Sequence, residues 1–524
     1  GRSSPAFRPM SASTRAASGA YLSARHPGIL AAAVMGVSIC QFLDLTIANV
    51  AIPHMRTSLG ASMEQISWVL TSYIVASMAM TPLVGWLSDR FGSRRVFVVA
   101  TAAFLFFSML CGAAQSIEQM VLFRFGQGLA AALIGPMSQT IMFDVTPPEG
   151  QARAMSAWGI VVMIAPIAGP FLGGFLTEAL DWRWVFYVNL PIGIPSLLIL
   201  WRLLPSRPIK RRPLDHFGLI ALGIGLISMQ LALDRGESLD WTQSPEIVVE
   251  LLVAASALWI FAVHFSRTPT PLFDRALVLN ANFRGAALFM FVLGIANVAL
   301  ASLLPTMFQT VYGYGVLDTG ALMAPRAIGI VMTMLVVNRV MNHVDHRALI
   351  TTGFLIAAFA LWTMTRWSLD MDKTPIILSG LLQGFGLGFL FVPMNIIAFA
   401  TIDERHRPDG SSLLQLFRNL GSSVGLSVAV TMLARNTKTA HADLAATATP
   451  AHLPPIDPAL AARLDADTSA LLATLEAEIS RQALMIAYLD NFVLMFWIVL
   501  AVAPAPFLLR GSRPMTAGRP AMAE

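Results

Sequence analysis

Charge is scarce in this sequence. Asp, Glu, Lys and Arg make up only 12% of the 524 residues, against 56% hydrophobic. Soluble proteins carry about 25% charged and roughly 45–50% apolar residues, so a soluble multidomain protein is excluded. A disordered chain is excluded as well, because it would have few apolar residues and many charges. Cysteine is nearly missing: Cys40 and Cys111 are the only two, too few for a disulfide framework. Both lie in apolar runs, where a small buried thiol is the ordinary reading. Lysine occurs three times against 32 arginines, a bias attributable at most to genome composition. Metal, phosphate and nucleophile motifs are missing too. The histidines are scattered, with His343 and His346 in a loop, and the glycine-rich GFGLGF at 384–389 has no strand before it, so it is not a nucleotide loop. With no soluble domain and no catalytic constellation, the chain does not read as an enzyme. A net charge of +5 and a pI of 9.5 would suit nucleic acid, but the basic residues are sorted in a way that points to a membrane.

What the sequence has in abundance is long apolar runs. Stretches of about 18 or more mostly apolar residues mark membrane-spanning helices. Fourteen are present, at 28–49, 66–87, 96–115, 119–142, 154–177, 184–204, 216–233, 246–265, 284–304, 320–340, 348–365, 375–400, 411–434 and 488–509. The fold class is therefore an all-α polytopic membrane protein. Lys and Arg are retained on the cytoplasmic side. With both termini placed inside, 23 of the 35 Lys and Arg fall inside, 9 outside and 3 within spans (Arg124, Arg326, Arg418). The opposite orientation would invert that asymmetry. Residues 1–27, rich in Ser, Ala and Arg, read as a disordered cytoplasmic tail, as do 510–524. A cleaved signal peptide competes for the N-terminal pattern, but the apolar run continues through Asp44 without a small-residue cleavage site. Span 1 thus reads as a retained anchor.

Most connections are short. The exception is an outer loop at 435–487, whose second half is rich in Ala, Leu and Glu and reads as helical, with Leu464, Leu471, Leu472, Leu475 and Ile479 near one face. A loop of that length is either functional or disordered; a protein-docking surface and a passive lid are both open.

Ionisable residues inside spans are costly, about 2.5–3.5 kcal/mol at the bilayer centre on insertion scales, and so mark functional positions. Asp44 lies in span 1 within QFLDLTIANVAIP, and Arg124 in span 4 within LFRFGQGLAAALIGP, at similar depth from the outer side. The two pair if spans 1 and 4 are neighbours. Gln41 is one turn from Asp44, and Gln127 one turn from Arg124. A static ion pair that locks two helices is one reading. A carboxylate that switches between charged and neutral beside an arginine, as proton coupling requires, is the other. After span 2 comes GWLSDRFGSRR, with Gly85, Asp89, Arg90, Gly92, Arg94 and Arg95. Positive-inside charge explains its arginines but neither its Asp nor its glycine spacing, which suit a reversible latch between moving helices. Span 5 carries Gly159, Pro166, Gly169, Pro170, Gly173 and Gly174, a small-residue seam that permits close approach and bending. In the second half, Arg326 and Arg418 are shallow enough either to snorkel or to line a cavity. Asn297, Gln383, Asn395, Gln415 and Asn419 are further polar candidates for a substrate cavity.

Taken together these motifs resemble the major facilitator superfamily, specifically its fourteen-helix drug:proton antiporters of the EmrB/QacA type. GWLSDRFGSRR is similar to that family's loop 2–3 signature, DLTIANVAIP to its span-1 motif, RFGQGLAAALIGP to its span-4 motif and GIVVMIAPIAGPFLGGF to its span-5 antiporter motif. WRWVFYVNLPIG matches the stretch entering span 6, and DRGESLDWTQSP with RQALMIAYLDNF looks like the EmrB branch. The resemblance implies the major facilitator fold. Its N-terminal six-helix bundle would span 28–204, two extra helices with a basic linker 205–265, and its C-terminal bundle 284–509. It further implies alternating access around a midplane cavity, with Asp44 and Arg124 as the proton-coupling pair and Asp89 latched against the start of span 13. NRVMNHVDHR keeps only Asp345 and Arg347 of a second copy of the loop signature, with Asn338 in place of glycine, so a second latch would be weak. The function expected is export of amphipathic drugs or toxic small molecules across the bacterial inner membrane. The proton gradient would supply the energy and no cofactor is expected. A periplasmic adaptor and outer-membrane channel are the partners implied. A dedicated exporter or importer of one metabolite, or a non-transporting receptor, are the alternatives.

Overall fold

The computed structural model describes residues 26–509, apart from 148–149, 206–208, 210–211, 342, 401, 403–405 and 448–467. Both proposed terminal tails, except Pro27 and the residue before it, and Leu464 lie outside the described residues. The described secondary structure is helical. The first group comprises α1 (Pro27–Leu59), α2 (Met63–Met80), α3 (Val84–Phe91), α4 (Ser93–Ala113), α5 (Ile117–Val145), α6 (Gln151–Ala179), α7 (Trp184–Tyr187) and α8 (Asn189–Leu203). Then come α9 (His216–Arg235) and α10 (Pro245–Arg267), and a short α11 (Arg275–Leu279). The last group is α12 (Ala281–Thr310), α13 (Val316–Val340), α14 (His346–Met364), α15 (Lys373–Ala400), α16 (Arg407–Thr447) and α17 (Thr468–Val502). Fourteen candidate membrane spans result.

Local chemistry sets where these helices start. Ser62 and Gln65 form a capping box at α2, and the side chains of Asp215, Asn280 and Asp345 accept backbone N–H groups at the starts of α9, α12 and α14. His346 is accordingly the first residue of α14 rather than part of a loop; Asp345 starts the helix two residues earlier than hydropathy indicates. Within the first bundle α1 packs on α6 and α8, and α5 on α2 and α4; within the second α12 packs on α16, and α15 on α13 and α14. The pair α9–α10 sits against the flank of α2, with α9 also touching α16. The bundles meet chiefly along α6–α13, α5–α16 and α3–α16, with α6–α15 adding to the seam.

Three span boundaries differ from the hydropathy reading. Span 2 is broken: α2 ends at Met80, a tight turn over Thr81–Leu83 carries Pro82, and α3 resumes at Val84, because proline cannot donate to the preceding helical turn. Span 14 stops at Val502, and Pro504 and Pro506 turn the chain over Ala505–Leu508. The largest correction concerns the outer loop 435–487. Its first part is not loop, since 435–447 continue α16, whereas 468–487 are helical as their composition indicates and run without a break into span 14 as the first half of α17. Both stretches are rich in alanine and lack Gly and Pro, so nothing ends the helix when hydropathy falls. The extensions run beside one another, tied by Asn436 Nδ2 donating to Asp490 Oδ2 (2.8 Å) and by His441 Nε2 at 2.7 Å from Glu476 Oε1.

Candidate coupling site, bundle seam and latch

The apolar sequence around Asp44 buries it completely on α1, where a lone carboxylate would be prohibitively costly. Four other helices supply its surroundings. Arg124 Nη1 of α5 donates to Asp44 Oδ2 at 2.6 Å, Gln127 Nε2 to Oδ1 at 3.0 Å, and Asn189 Nδ2 of α8 to Oδ1 at 3.2 Å. Arg124 is equally buried. It also donates to Gln127 Oε1 (2.9 Å) and to the Val69 carbonyl of α2 (3.2 Å), and its guanidinium lies 4.3 Å from the centre of the Tyr73 ring. Asn189 reaches Ser108 Oγ of α4 at 3.1 Å with the same amide nitrogen. A buried ion pair is tolerable only when such hydrogen bonds satisfy its remaining valences.

The structure therefore brings Asp44, Arg124 and Gln127 together, and adds Asn189, Ser108 and Tyr73. The sequence signal for Asn189 was one polar residue in the run YVNLPIG. Gln41 is not part of this cluster. It is buried, its Oε1 has no partner, and it faces Gly135 of α5 near Gln415 of α16. Gln415 Nε2 donates to Asn419 Oδ1 at 3.2 Å, and the Arg418 guanidinium lies 5.1 Å from the centre of the Phe42 ring of α1. Gln41, Gln415, Arg418 and Asn419 thus belong to the seam between the bundles.

Elsewhere in the second bundle, Arg326 is 2% exposed and donates through Nη2 to Asn297 Oδ1 at 2.7 Å. It does not snorkel. Gln383 is buried on α15 with its Oε1 unpartnered. Asn395 accepts a hydrogen bond across the seam from Gln139. Beside it Thr140 Oγ1 donates to Ser411 Oγ at 3.1 Å, and the Phe143 and Phe399 rings meet edge to face at 5.2 Å. Arg407 Nη1 lies 3.7 Å from Asp144. These contacts close the seam at the end that carries the α3–α4 turn.

The latch signature is occupied at that same end. Gly85 packs so closely on Asp409, in the first turn of α16, that a Cβ would overlap its carboxylate. Arg212 donates to both oxygens of Asp409 (2.7 and 2.9 Å) and lies 3.5 Å from Asp89. Burial opposes its charge. The hydrogen bonds and charge of Asp409, with the charge of Asp89, nevertheless hold the Arg212 guanidinium above its ordinary range. Asp89 therefore reaches the start of α16 through Arg212 and Asp409, neither of which stood out in the sequence. Gly92 turns the chain with φ 87°, Arg94 donates to the Trp201 carbonyl, and Arg90 and Arg95 are exposed. The small-residue seam of α6 serves two neighbours. A Cβ at Gly173 would stand 2.8 Å from the Ile47 carbonyl of α1, with Gly169 equally tight on Thr46, whereas Gly159 faces Phe391 and Met334 of the second bundle. Pro166 and Pro170 lie inside this helix, and Gly174 is buried.

Two packed helical bundles with a further helix pair on their flank, fourteen candidate spans in all, with a buried ion pair in the first bundle and a charged contact between the bundles, define a polytopic transporter fold. The chain belongs to the Major Facilitator Superfamily, whose family model matches residues 34–426. Within that superfamily it is similar to the EmrB-like multidrug transporters. It is 33% identical over 407 residues to the multidrug export protein EmrB of Haemophilus influenzae, covering 77% of this chain and 80% of that one. To EmrB of Escherichia coli K12 it is 33% identical over 425 residues, covering 80% and 83%. Among solved structures it resembles that of the human organic anion transporter MFSD10 (TETRAN), with a TM-score of 0.58 over 90% of this chain and 99% of that chain. At 15% identity that likeness shows the fold alone.

Proposed function

We propose that the chain is a proton-coupled exporter of amphipathic small molecules in the bacterial inner membrane, working by alternating access. The observation that carries this reading is the fully buried Asp44–Arg124 pair. In this scheme the arginine-rich end is cytoplasmic, and the N- and C-terminal bundles rock about the seam. With the outer side open, Asp44 takes a proton and releases Arg124, which keeps Gln127, the Val69 carbonyl and the Tyr73 ring as partners. With the inner side open, the proton leaves and substrate enters from the cytoplasm or inner leaflet. The latch of Asp89, Arg212 and Asp409 closes the inner side, and it must break once per cycle. The paired extensions of α16 and α17 would meet a periplasmic adaptor that leads to an outer-membrane channel. No cofactor enters the cycle, because the proton gradient supplies the energy.

The test uses proteoliposomes with a pH-sensitive dye trapped inside and no imposed gradient. Addition of lipophilic cations and weak acids should move protons through the wild-type protein and not through Asp44→Asn. No proton movement with any compound that binds would favour a facilitator and overturn the coupling role. Deletion of 440–485 should preserve transport in vesicles and abolish resistance in whole cells if the extensions dock an adaptor.

A further inference from the structure

The stretch DRGESLDWTQSP (234–245), which joins α9 to α10, takes no part in the coupling site or the latch. Asp240 (φ 57°) and Trp241 (φ 49°), adjacent in it, are the non-glycine residues of positive φ among the described residues. That conformation is unfavourable for such side chains and persists only where surrounding contacts hold it. The Trp241 N–H donates to the Gly236 carbonyl at 2.7 Å, and the indole folds back onto Gly236, where a Cβ would stand 2.8 Å from it. The fold-back carries the indole to the second bundle. Trp241 Nε1 donates to Thr431 Oγ1 of α16 at 3.0 Å and lies 3.3 Å from Glu237 Oε2 of its own turn. Ser427 of α16 adds a second tie, donating through Oγ to the Leu233 carbonyl at 2.8 Å. The same end of α9 also holds the first bundle. Thr71 of α2 donates to Asp234, and the Arg235 guanidinium lies 5.7 Å from the centre of the Trp68 ring.

These ties lie at the end of the seam opposite the latch. Ser427 and Thr431 are about 27 and 33 Å along α16 from Asp409, at 1.5 Å per residue. At the latch end α16 packs directly on α3 and the Thr81–Leu83 turn, whereas at this end α9 bridges α2 and α16. The bridge is unequal. Because α9 packs on α2 more extensively than on α16, it moves with the first bundle, and its hold on α16 is the part that rocking breaks. Hydrogen bonds of 2.8 and 3.0 Å do not survive a displacement of several ångströms. Glu237 makes the break reversible, since the indole N–H keeps an acceptor within its own turn when Thr431 withdraws. We propose that this turn is an outer strap, in which Trp241 grips α16 while the latch is closed and lets go when the latch opens. The strap thereby favours the latch-closed state, and Trp241 and Glu237 set how strongly. This assignment rests on the alternating-access reading, but neither on which group carries the proton nor on what is exported.

The experiment reads the latch end while altering the strap. A Ser411→Cys reporter on the full chain in nanodiscs is labelled with a maleimide without substrate, and protein lacking the reporter is the blank for Cys40 and Cys111. Trp241→Phe keeps a ring and removes the N–H, while Thr431→Val removes the acceptor from the other bundle. Each should raise labelling about 2- to 10-fold, the size of one neutral hydrogen bond, and the two together should raise it no further than either alone. Glu237→Ala takes away the competing acceptor and should lower labelling, a change of sign that a merely structural role would not give. Thr431→Val carries the test by itself if Trp241→Phe does not fold. Unchanged or reduced labelling in both single variants, with a rise in Arg212→Ala, overturns the strap and leaves alternating access standing. Rises that multiply in the double variant also overturn it, because the two groups would then act separately. Labelling that no variant changes, Arg212→Ala included, removes the alternating-access reading and the strap with it.

Discussion

Replacing Asp44 with asparagine tests the central pair with the least change of shape. The carboxylate accepts three hydrogen bonds, from Arg124 at 2.6 Å, Gln127 at 3.0 Å and Asn189 at 3.2 Å. An asparagine can turn its oxygen to Arg124, but its amide group then meets the donors of Gln127 and Asn189. Removing one partner of a buried ion pair typically costs about 3–5 kcal/mol. Part of that cost is offset because Arg124 keeps Gln127 Oε1, the Val69 carbonyl and the Tyr73 ring. The variant should therefore insert and fold with lower thermal stability in detergent, and it should have no proton-binding group at the site. In proteoliposomes the expected result is substrate-for-substrate exchange without substrate-driven proton movement, normalised to monodisperse protein. Proton movement at the wild-type rate would refute the assignment, whatever the stability. An unchanged melting temperature would refute the claim that the pair's hydrogen bonds are mutually required.

Arg212→Ala should remove the cation that joins Asp409 to Asp89, and a severalfold rise in labelling of a Ser411→Cys reporter at the closed end of the seam would show it; unchanged labelling would mean that the remaining contacts hold that end. Gly173→Val should abolish transport and lower folded yield, because its Cβ would stand 2.8 Å from the Ile47 carbonyl and a backbone cannot yield as a side-chain tip can. Gly223→Ala on α9 has nothing within 4 Å of the added carbon, so it should be neutral or stabilising by up to about 1 kcal/mol in thermal unfolding. Asn189→Leu should lower transport more than a surface change would, since it removes the amide shared by Asp44 and Ser108.

Much of this protein was legible in its sequence because a bilayer is a simple solvent. It demands runs of about 20 apolar residues and penalises each charge within them, so the fourteen spans and the outlying Asp44, Arg124, Arg326 and Arg418 are visible without any structure. Short motifs such as GWLSDRFGSRR are equally visible, because a turn's glycines and charges are adjacent in the chain. Hydropathy was a poor guide where helices leave the lipid: it ended α16 near residue 434, while alanine-rich polar sequence carries the helix to Thr447. Helix propensity and lipid solubility are different properties, and only the second was being counted.

What the tertiary structure decided is which polar groups meet. Asn189 joins Asp44 across 145 residues, and Arg212 joins Asp409 across 197, separations that no local periodicity encodes. Gln41, one turn from Asp44, is turned off the pair and faces Gly135 and Gln415 at the seam. The same limit applies to the arginines of the second bundle. Their cost is evident from sequence, but whether a carboxylate compensates them depends on the packing of α12, α13 and α16. That packing surrounds Arg326 with a neutral amide and sets Arg418 over a phenyl ring. The sequence by itself therefore determined the spans, their number and the charges that they bury. Only the fold determined which charges are balanced, because electrostatic balance depends on distances of a few ångströms between helices far apart in the chain.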